Sequence, residues 1–154
     1  MQFVKESVIE ASVEEVFAFH ARLPEAFEKL QPPWETSEIV HPPTSLEVGT
    51  RVELRTKVAP LIWVTIVAEH VAYEENVRFE DVMRSGPFAK WHHKHLFSPH
   101  PHGCVLRDEV DYEPPLGPLG RLSAPFAVQP RLRKMFDYRH EVTNAEVRRL
   151  RGTT

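Results

Sequence analysis

Two neighbouring segments, residues 86–97 and 106–113, constrain the fold of this chain more than any other part of the sequence. Their side chains alternate in character, as expected of β-strands, in which successive side chains point to opposite faces of a sheet. The residues between them, Ser98 to Cys104, include prolines and a glycine and are predicted to form a loop. Because an unpaired buried charge costs several kcal/mol, the charged face of each strand is expected to meet water and the opposite face to turn inward.

The predicted inward faces combine large apolar groups with a few polar ones. They are formed by Trp91, His93, His95 and Phe97 in the first strand and by Leu106, Asp108, Val110 and Tyr112 in the second. A third predicted strand, residues 77–83, has Phe79, Asp81 and Met83 on its inward face. Such a face is typical of a ligand pocket, but also of a buried hydrogen-bond network whose members satisfy one another.

The remaining elements predict an α+β fold. A strand over residues 2–10 precedes two short helices, the first of which begins with a capping box formed by Ser12 and Glu15. About six further strands with short connections indicate an antiparallel sheet, and the residues beyond Pro130 form one long C-terminal helix. Only this helix is long enough to cover the inward face of the sheet, so we expect it to pack there and to leave space between the two layers.

The C-terminal third contains two further features. Met135, Phe136 and Arg139 lie in the apolar stripe of the long helix, so Arg139 is expected at its buried edge. Residues 113–120 are too rich in proline and glycine for regular structure. The longer stretch 114–130 is expected to act as a lid over a pocket or as a contact surface for a partner domain. Its apolar residues that we expect to be exposed or half exposed are Leu116, Leu119, Leu122 and Phe126.

Composition and charge exclude several classes of function. The 154 residues favour a single domain over residues 1–154, and a formal net charge of −3 offers no basic surface for a nucleic-acid backbone. The one cysteine, Cys104, excludes an intramolecular disulfide and a cysteine-based zinc site. No apolar run approaches the roughly 18 residues that span a bilayer, and residues 1–6 lack a signal-peptide pattern. These features predict a cytoplasmic protein without a membrane span.

Three segments carry a family resemblance: Gly86 to Phe97, Leu106 to Gly117, and Met135 to His140 in the last helix. Together with the element order, they resemble the START-like, helix-grip superfamily, which includes Bet v 1, the polyketide cyclase/dehydrase and the lipid-transport proteins. The segments are most similar to one bacterial SRPBCC-type subgroup, whose members occur alone or joined to an epimerase-like short-chain dehydrogenase domain. The resemblance implies a strongly curved sheet of about seven strands, with the C-terminal helix in its concave face and an apolar small molecule between the two. It assigns no catalytic residue.

Three functions follow as hypotheses. The first is binding of a lipid-, polyketide- or isoprenoid-like molecule between sheet and helix. The second is a polyketide aromatase/cyclase-type enzyme, with an inward histidine beside an aspartate as general base and Arg139 steadying an oxyanion. The third is a non-catalytic interaction module for a dehydrogenase- or epimerase-type partner. The sequence does not indicate an oligomeric state. The candidate ligand-binding residues are Phe79, Asp81, Met83, Trp91, His93, His95, Phe97, Asp108, Tyr112, Met135, Phe136 and Arg139.

The inward histidines also match a metal site. His93 and His95, with either Asp81 or Asp108, would form a set of two histidines and one carboxylate. The same side chains, together with Arg139, would equally form a buried and mutually neutralised network, which is how buried charges are usually found. The sequence favours the network, and we therefore predict neither a metal nor another cofactor.

Overall fold

The computed structural model describes residues 1–153, which form an antiparallel sheet and helices in the predicted order, with one helix more than expected. The elements are β1 (Gln2–Ile9), α1 (Val13–His20), α2 (Glu25–Lys29), β2 (Ser37–His41), β3 (Arg51–Ala59), β4 (Ile62–Glu74), β5 (Arg78–Ser85), β6 (Lys90–His100), β7 (Gly103–Glu113), α3 (Gly117–Ala127) and α4 (Gln129–Arg151).

The seven strands pair in the order β1-β7-β6-β5-β4-β3-β2, and every pair is antiparallel. Strands β2 to β7 therefore follow one another as successive neighbours, whereas β1 joins the far edge beside β7, after which α1 and α2 carry the chain back to β2. This sheet with its long C-terminal helix confirms the predicted α+β, helix-grip architecture.

The register of β6 and β7 brings their inward faces together. His95 pairs with Asp108, and His93 pairs with Val110. In β7 buried and half-buried residues alternate without interruption, and the buried set includes Asp108. The inward orientation predicted for both strands is confirmed, because a period of two fixes every side chain once one of them is buried.

One charged residue departs from the prediction that the outer faces meet water. Glu80 belongs to the outer face of β5 but is only 6% exposed. Its carboxylate accepts hydrogen bonds from Arg78 Nη1 at 2.6 Å and from His92 Nε2 at 2.8 Å. Because Arg78 neutralises Glu80 and both side chains cover it, the charge is tolerated away from water. His92, on the outer face of β6, is half-buried in this cluster.

The long helix α4 covers the inward face as predicted. The ring of Phe136 lies 5.3 Å from that of Phe3 on β1 and 5.1 Å from the imidazole of His93 on β6.

At the other end of the chain, the predicted capping box of α1 is confirmed. Ser12 Oγ accepts from the backbone N–H of Glu15, and the Glu15 carboxylate accepts from the backbone N–H of Ser12.

Two predictions of irregular structure are wrong. Most of the predicted loop Ser98–Cys104 forms the ends of two strands, because β6 runs to His100 and β7 starts at Gly103. The stretch 113–120 was predicted to be irregular, but α3 begins within it at Gly117.

Two of the proline and glycine residues, Pro118 and Gly120, are compatible with α3 because of their positions. Pro118 lies in the first turn, where its missing N–H would have no partner within the helix. Gly120 packs so tightly on the chain that a Cβ atom there would lie 1.8 Å from the carbonyl oxygen of Pro115. Glycine is therefore required at residue 120 for this close approach.

Candidate functional site

A cavity of about 490 Å³ lies between the inward face of the sheet, α2 and α4. Its volume falls within the range of about 300–1,000 Å³ that is usual for small-molecule sites. Most of its wall is aliphatic or aromatic. Apolar contributors are Ala26, Phe27 and Leu30 from α2 and its C-cap, Val52, Leu54 and Val58 from β3, Ile66 and Ala68 from β4, and Val128, Leu132, Met135 and Phe136 from the α3–α4 junction and α4.

Ten of the twelve candidate ligand-binding residues line this cavity. They are Phe79, Asp81, Met83, Trp91, His93, His95, Asp108, Met135, Phe136 and Arg139. The structure places the other two in packed regions beside it. Phe97 packs edge-on against Phe17, with 5.1 Å between ring centroids. Tyr112 lies beneath the start of α4, where its hydroxyl accepts a hydrogen bond of 2.8 Å from Gln129.

Asp108 is the centre of the polar part of the wall. Its Oδ1 accepts a hydrogen bond from His93 Nε2 at 2.8 Å and lies 2.9 Å from His95 Nδ1. Its Oδ2 accepts from His140 Nε2 at 2.6 Å. Since an ionised carboxylate can only accept, each of these nitrogens carries a proton. On the other side of the His140 ring, Nδ1 and the hydroxyl of Ser7 form a hydrogen bond of 2.8 Å.

Asp81 forms the second acidic group of the wall. Its Oδ2 lies 3.3 Å from His95 Nε2 and 3.6 Å from His93 Nδ1. His95 thus has a carboxylate at both ring nitrogens. Burial alone would lower the pKa of His95, but the charge of Asp108 and the bonds to Asp108 and Asp81 outweigh it and raise that pKa to about 9. His95 is therefore an imidazolium at neutral pH.

The pKa of His93 shifts in the opposite direction to that of His95. Burial, together with the neighbouring positive charge of His95, lowers the pKa of His93. The carboxyl pKa of Asp108 lies well below its usual range, because the charge of His95 and the histidine hydrogen bonds outweigh the effect of burial. The wall therefore presents a neutral imidazole beside a charged one, a combination that can accept one proton and donate another.

Arg139 reaches the cavity but does not join the predicted ion-pair network. Its Nε donates to the carbonyl oxygen of Leu30 at 3.2 Å, and its guanidinium lies 5.4 Å from the ring centroid of Phe136. No ion pair joins it to a carboxylate within residues 1–153. By contrast Arg131, also on the wall, donates two hydrogen bonds to Glu35. Burial lowers the pKa of Arg139, against the attraction of Asp108 and Asp81.

Three histidines that line the cavity were not predicted from the sequence. His140 lies four residues after Phe136, on the same face of α4. His20 lies four residues after Val16, and its Nδ1 donates to the Val16 carbonyl at 2.8 Å. His70 points inward from β4, in register with Asp81. Helical spacing would have identified the first two, since both share a face with apolar neighbours.

The comparisons with known proteins agree with this fold. The sequence profile of a family described as "Polyketide cyclase / dehydrase and lipid transport" matches residues 1–139. Comparison with curated protein sequences found no match. None of the helices formed by residues 1–153 combines the length and the apolar character needed to cross a membrane.

Solved structures of the same fold are similar to the chain over nearly its whole length. One is the protein TTHA0849 of Thermus thermophilus, with 20% identity, a TM-score of 0.70, and coverage of 95% of this chain and 99% of that one. Another is the di-domain ARO/CYC StfQ of the steffimycin biosynthetic pathway, with 13% identity, a TM-score of 0.73, and coverage of 98% and 51%. A third is a nucleoside-diphosphate sugar epimerase of Corynebacterium glutamicum, with 21% identity, a TM-score of 0.70, and coverage of 95% and 29%.

Proposed function

The chain belongs to the polyketide cyclase/dehydrase and lipid-transport family, and from this premise we propose that it binds a hydrophobic small molecule between its sheet and α4. The observation that carries the proposal is the cavity of about 490 Å³ with its mostly apolar wall. Lipid-, polyketide- and isoprenoid-like molecules match this wall, because each can bury a long apolar surface and present a few polar atoms to one side.

The wall retains apolar surface for a ligand to cover. Leu54, Ile66 and Met83 face the cavity but are only half-buried. Removing apolar surface from water contributes about 25 cal/mol per Å², so covering about 200 Å² of wall and ligand would yield about 5 kcal/mol before the costs of binding. The polar groups then orient one end of the ligand, as single polar groups do in apolar pockets.

A second candidate function is acid–base chemistry of the cyclase or dehydratase type on the bound molecule. The observation that favours it is the pair of adjacent imidazoles, with 3.8 Å between ring centroids and planes inclined by 41°, in which His93 is neutral and His95 charged. His93 would accept a proton beside a carbonyl group, while His95 and Arg139 would stabilise the enolate oxygen.

A third candidate role is contact with a dehydrogenase- or epimerase-type partner through α3. The helix exposes large apolar side chains at 73–84% of their surface: Leu116, just before its start, and Leu119, Leu122 and Phe126. A patch of this kind on a helix commonly marks an interaction surface. The C. glutamicum epimerase, of which the chain matches 29%, supports a partner of this class.

Binding is tested by titrating the purified chain with a neutral apolar fluorophore, N-phenyl-1-naphthylamine. We expect one site per chain and a loss of affinity of at least tenfold in Leu54→Trp, which places a larger side chain in the cavity. Leu122→Ser, on the exposed face of α3, is the matched control and should leave the affinity unchanged. Equal binding by wild type and Leu54→Trp, or loss of binding in Leu122→Ser alone, would contradict the proposal.

A further inference from the structure

Three side chains on the cavity wall bring metal-ligand atoms together. We propose that Asp81, His93 and His95 form a binding site for one divalent transition-metal ion. Each offers one ligand atom, and the three atoms lie within 4.8 Å of one another. The site goes beyond the proposed function, because the cavity can hold an apolar molecule whether or not an ion is bound beside it.

The distances suit a common ion. Ligand atoms bound at about 2.0–2.2 Å from a single metal in tetrahedral geometry lie about 3.3–3.6 Å from each other. Asp81 Oδ2 is 3.6 Å from His93 Nδ1 and 3.3 Å from His95 Nε2. Two of the three distances between the ligand atoms therefore already have the length that a shared ion requires.

Asp108 orients both histidines for this role. It contacts His93 through Nε2 and His95 through Nδ1, which leaves His93 Nδ1 and His95 Nε2 directed toward Asp81. A carboxylate on the far nitrogen of a metal-binding histidine fixes the tautomer and the ring orientation. Here one buried carboxylate does so for two histidines. An imidazole binds a metal ion through the lone pair of a deprotonated ring nitrogen, so the affinity of the site for the ion is expected to rise with pH.

His70 is a further histidine on the same wall, beside the three ligand residues in the sheet. His70 Nδ1 is the one buried side-chain nitrogen or oxygen of residues 1–153 without a hydrogen-bond partner. His70 is 7% exposed and stands opposite Asp81 in the β4–β5 register.

The donor set selects the class of ion. Two imidazole nitrogens and one carboxylate oxygen suit Zn²⁺, Fe²⁺ or Co²⁺, whereas Mg²⁺ and Ca²⁺ prefer oxygen ligands. The carboxylates of Asp81 and Asp108 together match the charge of a divalent cation. Three protein ligands leave a coordination position on the cavity side, where a carbonyl or enolate oxygen of a bound molecule would be polarised.

The test uses the full chain, treated with a chelator and then titrated with Co²⁺ and Zn²⁺, with Mg²⁺ as the comparison. We expect one equivalent of Co²⁺ with a d–d absorption spectrum that Zn²⁺ abolishes and Mg²⁺ does not. Asp81→Asn and His95→Gln should each weaken binding at least a hundredfold. Asp108→Asn, which removes no ligand, should weaken it about tenfold to a hundredfold.

The matched control is the double variant His100→Ala/His102→Ala. These two histidines lie at the β6–β7 turn with 5.6 Å between ring centroids, and they are the obvious place for adventitious binding. The proposal is overturned if the control loses the ion, or if wild type takes up none. Should the site variants fail to fold, X-ray absorption of the Zn²⁺-loaded wild type decides: scattering from two imidazoles supports the site, and its absence refutes it. Neither outcome affects fluorophore binding, so the cavity proposal is tested separately.

Discussion

Replacing Asp108 by asparagine tests whether one carboxylate organises the polar wall. The Asp108 side chain is 5% exposed and contacts His93, His95 and His140. Asparagine keeps the shape of the side chain but removes its charge and converts one acceptor oxygen into an NH₂ donor. The carboxamide keeps one acceptor oxygen, so only one side of residue 108, toward His140 or toward His93 and His95, still faces an acceptor.

The cost follows from burial and charge. The imidazolium of His95 loses one of its two neighbouring carboxylates, and breaking a buried ion pair by removing one partner costs about 3–5 kcal/mol. A histidine N–H that is left without an acceptor adds a smaller penalty of the same sign. We therefore expect Asp108→Asn to lower the free energy of unfolding at pH 7 by about 3–5 kcal/mol.

Urea denaturation of chelator-treated protein, followed by tryptophan fluorescence, measures this loss. The matched control is Asp111→Asn, on the outer face of the same strand, where the carboxylate is 35% exposed and lies 3.9 Å from Lys94. Its expected cost is below about 1 kcal/mol. A loss below about 1 kcal/mol in Asp108→Asn, or equal losses in the two variants, would show that Asp108 does not hold the polar wall together.

Three further variants test other parts of the account. Phe136→Ala removes a fully buried ring packed on Phe3 and His93, and thermal unfolding should report a loss of about 3–5 kcal/mol. Ser12→Ala removes the capping hydroxyl of α1 and should cost about 1 kcal/mol in urea denaturation. Burial lowers the pKa of His20 from 6.5 to about 4. The unfolded chain therefore binds this proton at a higher pH than the folded chain does. As the pH falls from 6.5 to 4, the free energy of unfolding decreases by up to about 3 kcal/mol. His20→Phe should flatten this part of the stability–pH curve, and an unchanged slope would contradict the assignment.

The faces of the central strands were predictable because their determinants are local. In β7 the alternation of apolar and charged residues fixes which side chains turn inward, and no knowledge of the partner strand is needed. The same pattern placed His93 and His95 on one face with Asp81 and Asp108. The capping box of α1 was equally local, since Ser12 and Glu15 satisfy each other's backbone N–H groups.

The partners within the site depend on how α4 lies over the sheet, which no local pattern specifies. A rotation of α4 by one residue position, about 100°, exchanges the side chains that meet Asp108. The sequence predicted Arg139 in the network, whereas the structure brings His140 to Asp108 and leaves Arg139 on the carbonyl of Leu30. Helix α3 was not predicted for a related reason: Pro118 suits a helix only in its first turn, and Gly120 is required only by the close contact with the Pro115 carbonyl.

Native mass spectrometry of the chain purified without detergent shows whether the cavity holds a hydrophobic molecule. We expect one bound hydrophobic molecule per chain, released on denaturation and missing from Leu54→Trp prepared in the same way. The bare mass of the chain in both proteins, unchanged after incubation with a lipid extract and with aromatic polyketides, would contradict this expectation.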